Sequence, residues 1–151
     1  MNQLRTLSII FIVLALIGLA DAGYLTIKHY TNTIPPCTLR GCETVITSQY
    51  NEIGGIPVAL FGVIYYLDIL TFGFLYLRTR KEQMLKIAAI ITPVGLVASI
   101  YFVYLQLYVI EAICQYCMLS AGTSTFLFIV GMYVLLETKK SKNNSKNGPL
   151  A

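Results

Sequence analysis

"IAAIITPVGLVASIYFVYLQLYVI", residues 87–110, contains no charged residue. A helix needs about 20 mainly apolar residues to cross the hydrocarbon core of a bilayer. This stretch is long enough and apolar enough to do so. The chain is therefore a candidate membrane protein.

Three more segments have the same character. Residues 6–27 and 53–77 contain one charge each, Asp21 and Asp68, and residues 112–136 contain none. The first segment is longer than the apolar core of a signal peptide and lacks a good cleavage site, so we interpret it as a retained helix. The sequence predicts an all-α membrane protein, a bundle of four transmembrane helices at about residues 6–28, 57–77, 86–109 and 115–136.

The placement of basic residues predicts the orientation. Of the 11 Lys and Arg residues, nine precede helix 1, lie between helices 2 and 3, or follow helix 4; the exceptions are Lys28 and Arg40. The positive-inside rule then places both termini and the 78–86 loop in the cytoplasm. The net charge of +4 is thus a topology signal and does not indicate a nucleic-acid partner.

All four cysteines fall on the predicted extracytoplasmic side. Cys37 and Cys42 (the loop pair) lie in the long connection between helices 1 and 2, and Cys114 and Cys117 (the CxxC pair) open helix 4. Disulfides form and persist on this side of a cell membrane.

The long connection has structure-forming signals of its own. In "CETVITSQYNEI", residues 42–53, apolar side chains recur at helical spacing, which predicts a short horizontal helix on the membrane surface. Pro57 suits the first turn of helix 2. The polar residues 139–151 predict a disordered cytoplasmic tail, which leaves residues 1–138 as a single domain.

Several chemistries are open to four cysteines. Zinc could take four thiolates, but the two pairs are far apart in sequence and on the oxidising side, so we expect no metal. A c-type haem is excluded because Met118, and not histidine, follows the CxxC pair. A small membrane scaffold with two structural disulfides stays open as an alternative, although such short rings would add little stability.

A redox interpretation uses both pairs. The unpaired N–H groups and the dipole of a helix N-terminus favour thiolate, and Cys117 falls in or near the first turn of helix 4. Two dithiols on one face can exchange through mixed disulfides. Electrons would pass from a partner's thiols to the loop pair, then to the CxxC pair, and then to a lipid-soluble quinone.

The motifs now resemble a known family. Four helices, a loop pair after helix 1, "GIPVALFG" at residues 55–62 and "CQYC" at 114–117 are similar to the vitamin K epoxide reductase family, in its prokaryotic disulfide-forming branch. The resemblance covers roughly residues 10–135. Many prokaryotic members carry a fused thioredoxin-like domain, whereas this chain ends soon after helix 4, which implies a separate partner protein.

The resemblance implies a role for each cysteine. Cys117 corresponds to the cysteine next to the quinone and Cys114 to its exchange partner. Cys42 resembles the loop cysteine that exchanges with Cys114, and Cys37 would exchange with the thiols of the partner.

It also implies a quinone pocket. Ser48 matches a loop serine near the reactive site, the 42–53 helix would cover the pocket, and Phe61 and Tyr65 match aromatic residues that line it. Val58 and Ala121 stand where animal members have an Asn and a Tyr, which favours plain quinone reduction over epoxide reduction.

The implied function is an integral thiol oxidase of the cytoplasmic membrane. It would form disulfides in a separate, thioredoxin-fold (DsbA-like) protein and use a quinone of the menaquinone, ubiquinone or vitamin K type as electron acceptor, with no metal.

Several other residues could matter. Intramembrane carboxylates are candidates for function, and a transporter subunit using Asp21 and Asp68 is a further alternative. We expect Asp68 to bond a neighbouring helix as the neutral acid and Asp21 to have a packing or interfacial role. His29 is expected at the membrane interface. An aromatic stripe on helix 3 is expected either in bundle packing, in an interfacial belt or on a quinone cavity: Tyr101, Tyr104 and Tyr108.

Overall fold

Four long helices account for most of the chain in the computed structural model, which describes residues 2–146. Each contains a stretch that is long and apolar enough to cross a membrane. A fifth, short helix lies in the first connection. The helices are α1 (Asn2–Tyr30), α2 (Cys42–Ile46), α3 (Val58–Thr79), α4 (Glu82–Tyr104) and α5 (Gln115–Lys146).

The four long helices form one bundle. Helix α1 packs against α3 and α5, and α4 packs against the same two helices, so the four surround a common core. This confirms the prediction of a mostly helical bundle with four candidate membrane helices. The largest core side chains with almost no exposed surface include Phe11, Tyr66, Ile69, Leu85, Leu127 and Val134.

The outer surface of the bundle is apolar as well. On α4, Ile90, Val94, Val97 and Ile100 recur on one face, and each is between 62 and 66% exposed. A soluble protein buries such a stripe, whereas a membrane helix turns it toward lipid. The exposed apolar face therefore agrees with a bundle that lies in a bilayer.

A tyrosine joins α3 to α5 near the site described below. The Tyr66 hydroxyl lies 3.0 Å from the Ser120 hydroxyl and 3.1 Å from the Ser124 hydroxyl. Its ring lies directly over Gly18 of α1, where any Cβ atom would collide with it. The glycine thus lets three helices meet around one buried aromatic side chain.

The connection from α1 to α3 differs from the single predicted helix over 42–53. Helix α2 ends at Ile46, a 3₁₀ turn follows at Gln49–Asn51, and strand β1 (Glu52–Ile53) pairs antiparallel with β2 (Ile56–Pro57). Gly54 and Gly55 both adopt positive φ, which suits a two-residue hairpin turn. The hairpin takes Glu52 and Ile53 out of the helix that apolar spacing predicted. The loop helix exists but is one turn long.

Two helix ends also differ from expectation. Helix α4 continues into a π-helix at Leu105–Val109, in which the Ile110 N–H donates to the Leu105 carbonyl at 2.8 Å. Helix α5 continues to Lys146, so residues 139–146 of the predicted disordered tail are helical. Lysine is a good helix former, which explains the extension. Residues 147–151 lie outside the described part of the chain.

Candidate functional site

All four cysteines meet at one end of the bundle, above the start of α5. Cys37 and Cys42 form a disulfide, and Cys114 and Cys117 are free thiols. The Sγ atom of Cys42 lies 3.7 Å from the Sγ atom of Cys114, although the two residues are 72 positions apart. The loop pair and the CxxC pair are therefore in contact through these two sulfurs.

The four sulfurs differ in their access. Cys42 and Cys114 are completely buried, whereas Cys37 and Cys117 are partly buried. Cys37 borders a surface depression on the loop, and Cys117 lines a cavity inside the bundle. The sequence of contacts runs from the surface, through two buried sulfurs, to the interior.

A glycine brings the two buried sulfurs together. Gly41 precedes α2 with φ of 94°, a conformation that side-chain-bearing residues rarely adopt. A Cβ atom at Gly41 would lie 2.9 Å from the Cβ atom of Ala112. Both constraints favour glycine at position 41. With glycine there, the loop approaches the start of α5 closely enough for Cys42 to reach Cys114.

The π-helix at the end of α4 supplies a buried hydrogen bond. The backbone N–H of Cys114 donates to Oε1 of Gln106 at 2.8 Å, and Gln106 is only 2% exposed. The carbonyl of Gln106 accepts the N–H of Ala112 at 3.0 Å. This one residue thus fixes the backbone on both sides of the short connection to α5.

Cys117 lies in the first turn of α5, as the sequence predicted, and the N–H groups of this turn also act on Cys114. Cys114 precedes the first residue of α5, and its Sγ accepts the N–H of Cys117 at 3.5 Å. The pKa of Cys114 is lowered to about 7, first by a hydrogen bond with the Cys117 thiol and further by backbone N–H groups, against the opposing effect of burial. Cys114 is therefore largely thiolate above neutral pH.

The two residues between the cysteines of the CxxC pair hold the loop. The Gln115 side chain bonds the hydroxyl of Thr38, and its Oε1 also accepts the Thr38 N–H at 3.3 Å. The Tyr116 hydroxyl donates to the Pro36 carbonyl at 2.9 Å. These contacts flank Cys37 and dock the loop disulfide on α5.

A cavity of about 240 Å³ lies below α2, between the helices. Ser48, Phe61 and Tyr65, the residues predicted near the site, all line it, as do Val58 and Ala121. Cavities for small ligands are mostly apolar with a few placed polar groups, and hold about 300–1,000 Å³. This one is slightly smaller, and most of the residues that line it are apolar.

The polar groups in this cavity are of two kinds. The Ser48 hydroxyl has a hydrogen-bond partner in the protein, since it donates to the Val45 carbonyl at 2.7 Å. In contrast, Oδ2 of Asp21 and the hydroxyl of Tyr65 are buried and have no hydrogen-bond partner among the described residues. Both line the cavity with Cys117.

Other predicted candidates lie away from the cavity. Asp68 is exposed on the outer face of α3, so the expected bond to a neighbouring helix is absent within residues 2–146. His29 Nε2 lies 3.3 Å from Oε1 of Glu52 at the loop end of α1. The aromatic stripe of α4 and its π-helix is 54 to 71% exposed and does not line the cavity: Tyr101, Tyr104 and Tyr108.

Sequence reasoning missed four residues of the site, which are Gly41, Gln106, Gln115 and Tyr116. Gln106 carried a usable signal, because it is the only amide side chain in the charge-free stretch 87–110. A buried amide in such a stretch needs a partner. The other three gave none, since their roles depend on a contact between distant segments.

The fold and the site define a class. Four membrane-type helices with two touching cysteine pairs at one end are the features of a membrane protein built around a dithiol site. The model of the family described as "Vitamin K epoxide reductase family" matches residues 9–132. The chain belongs to the vitamin K epoxide reductase family, whose members are membrane oxidoreductases.

Proposed function

We propose that this protein is a quinone-dependent thiol oxidase that forms disulfides in a separate thioredoxin-fold protein. The observation that carries the proposal is the order of the four sulfurs: partly exposed Cys37, buried Cys42, buried Cys114 and cavity-lining Cys117, with 3.7 Å between the two in the middle. Two static disulfides would not need this contact between the pairs.

The first exchange takes place at the surface. A thiolate of the partner attacks Cys37, the more accessible sulfur of the loop disulfide, and Cys42 leaves as a thiolate. The second thiol of the partner then attacks its own mixed-disulfide sulfur and releases Cys37. The partner is oxidised to a disulfide, and the loop pair is reduced to a dithiol.

The second exchange takes place inside the protein. The Cys42 thiolate attacks Cys114 of an oxidised CxxC pair, and Cys117 leaves. Cys37 then attacks Cys42 and releases Cys114. This restores the loop disulfide and leaves the CxxC pair as a dithiol, the set of bonds found in the structure.

The environment of Cys114 favours this direction. A thiol of lower pKa leaves faster in thiol–disulfide exchange. Because the pKa of Cys114 is lowered to about 7, its thiolate is a good leaving group when Cys37 resolves the bond between Cys42 and Cys114. The Gln106 hydrogen bond holds the Cys114 backbone in place during both attacks.

The inner cavity is the proposed site of the electron acceptor. Its wall includes Cys117, and aromatic side chains that include Phe61 and Tyr65 provide apolar surface for a quinone ring. A quinone of the menaquinone, ubiquinone or vitamin K type accepts two electrons and two protons. Oxidation of the CxxC pair to a disulfide supplies the electrons and completes the cycle.

The surface around Cys37 is the proposed docking site for the partner. Leu39 and Ile34 are about half exposed on either side of it. Exposed apolar residues mark interaction sites, and next to an accessible disulfide they suit docking of a thioredoxin-fold, DsbA-like partner. Positive-inside topology would place this surface outside the cytoplasmic membrane and both termini inside.

The test uses the purified protein in lipid nanodiscs with a reduced thioredoxin-fold protein and a short-chain quinone. We expect Cys117→Ser to abolish quinone reduction and Cys42→Ser to stop transfer from the loop to Cys114. Thiol trapping on a non-reducing gel should capture a bond between Cys42 and Cys114 when Cys37 and Cys117 are both alanine. Quinone reduction by Cys117→Ser with partner thiols would refute the mechanism.

A further inference from the structure

The inner cavity contains a carboxyl group that the exchange steps do not use. Asp21 of α1 is only 7% exposed, and its Oδ2 atom has no hydrogen-bond partner among the described residues. No Lys, Arg or His is among the described residues that line the cavity. A charged carboxylate without a counter-ion is costly in such a place, so the neutral acid, which carries a proton, is the favoured form.

The cavity brings this acid and the inner sulfur together. Asp21 and Cys117 line the same 240 Å³ space, with Tyr65 on α3 and Ser120 one turn further along α5. A quinone ring in this space would lie among residues that include both Cys117 and Asp21. The acid is thus part of the binding surface and not only of the helix packing.

Proton counting shows why such an acid is needed. Reduction of a quinone to a quinol takes up two electrons and two protons. The CxxC pair supplies both electrons, but a pair whose Cys114 is already a thiolate carries only one proton, on Cys117. With its pKa lowered to about 7, Cys114 has lost its proton in most molecules above neutral pH. A second donor is required.

Two buried groups without a hydrogen-bond partner among the described residues could donate this second proton, and they differ in acidity. The Tyr65 hydroxyl is buried and has no partner within residues 2–146. A phenol is the weaker acid, with an ordinary pKa near 10 against about 3.9 for an aspartic acid. The carboxyl therefore gives up its proton more readily, and the Tyr65 hydroxyl is left as a donor to orient the ring.

We propose that Asp21 is the acid that protonates the quinone in the inner cavity. In this step Cys114 and Cys117 form a disulfide, and two electrons pass to the quinone. One proton comes from the Cys117 thiol and one from the Asp21 carboxyl, so a quinol and an Asp21 carboxylate result. The carboxylate then recovers a proton from the aqueous side. This inference rests on the proposed function and deepens it.

The two Asp21 variants that test this proposal differ from the wild type by one side-chain atom or by one methylene. Asp21→Asn keeps the shape but has no acidic proton, and Asp21→Glu keeps the acid. Asp68→Asn is the matched control, because it removes the other intramembrane carboxyl, which is exposed and does not line the cavity. Each protein is first reduced in nanodiscs and then mixed with a short-chain ubiquinone in a single turnover.

General acid catalysis typically contributes about 100- to 10,000-fold. We expect Asp21→Asn to form quinol about 100-fold more slowly and Asp21→Glu to recover part of the rate. Asp68→Asn should match the wild type. Trapping of the bond between Cys42 and Cys114 should be the same in all four proteins, which shows that the site is folded.

Infrared difference spectroscopy gives a readout that is independent of turnover. In the wild type without quinone, the stretch of a protonated carboxyl should be present, and it should shift in Asp21→Glu and be lost in Asp21→Asn. A wild-type rate in Asp21→Asn, or an unchanged carboxyl band in that variant, would overturn the role of Asp21 alone. Failure of the wild type to reduce quinone would overturn the proposed function itself.

Discussion

The backbone N–H of Cys114 donates a hydrogen bond to the side-chain oxygen of Gln106 at 2.8 Å, across the turn that joins the third long helix to the fourth. Gln106 can face this turn because α4 ends in a π-helix, which rotates its last residues relative to a regular helix. Single-turn π segments occur frequently at functional sites. Here the irregular turn places one buried amide against the backbone of Cys114.

Replacing Gln106 by leucine should impair the internal exchange. The substitution leaves the buried N–H of Cys114 without a partner, which costs about 1–3 kcal/mol. We expect a lower unfolding temperature and at least tenfold slower trapping of the bond between Cys42 and Cys114. Gln106→Glu keeps an acceptor oxygen and should lose less.

Gln83→Leu serves as the control for this variant. It makes the same change on the same helix but at an exposed position. Equal losses of trapping rate in the two proteins would show that the buried hydrogen bond does not position Cys114.

Gly41→Ala should separate the two touching sulfurs. The new Cβ would sit 2.9 Å from the Cβ of Ala112 on a backbone with positive φ. A misplacement of about 1 Å can slow a reaction about 100-fold. We therefore expect the bond between Cys42 and Cys114 to be trapped about 10- to 100-fold more slowly.

Gly54→Ala separates backbone strain from the close contact. Gly54 also has positive φ, but nothing lies within 4 Å of a Cβ placed there. It should lose stability and keep the exchange rate. Should both alanine variants trap equally fast, the contact with Ala112 would have no part in the approach of Cys42.

The lowered pKa of Cys114 predicts a pH dependence. In a protein whose loop cysteines are both serine, ultraviolet thiolate absorbance should rise with pH around a midpoint of about 7, because the Cys117 thiol hydrogen-bonds the thiolate. Adding Cys117→Ala should move the midpoint upward, toward the ordinary cysteine value of about 8.5. A midpoint that stays in place after this change would rule out the hydrogen bond as the cause.

Tyr116→Phe should loosen the loop without touching any sulfur. It removes the hydrogen bond to the Pro36 carbonyl, and one such bond contributes about 0.5–1.5 kcal/mol. Hydrogen exchange at residues 37–42 should become about 2- to 10-fold faster, because losing this free energy raises the equilibrium constant for loop opening by that factor. Tyr133→Phe, at a 60% exposed position of the same helix, should leave this exchange unchanged.

The membrane bundle followed from the sequence because its cause is local. Four charge-free or nearly charge-free stretches, such as residues 87–110, dictate spanning helices whatever their neighbours are. The cysteine spacing likewise indicated the two cysteine pairs. The structure adds that Cys42 faces Cys114, a long-range contact that spacing alone does not determine.

What sequence reasoning missed depends on distant segments or on backbone irregularity. The helix predicted over 42–53 failed because apolar spacing does not report where a Gly-Gly turn will draw the chain into a hairpin. The sequence named Asp21 as a candidate but could not show its burial without a hydrogen-bond partner among the described residues, since that is a property of three dimensions. At the other end of the chain, α5 continues through the polar, lysine-rich segment as far as Lys146.

The hydrogen bonds from Gln115 and Tyr116 to the loop limit how this protein can be engineered. These two residues form the dipeptide between Cys114 and Cys117. Here the same dipeptide binds the segment that presents Cys37. A library at positions 115 and 116 would therefore select for docking of the loop and for thiol chemistry at once, and only paired changes at Pro36 and Thr38 would separate the two.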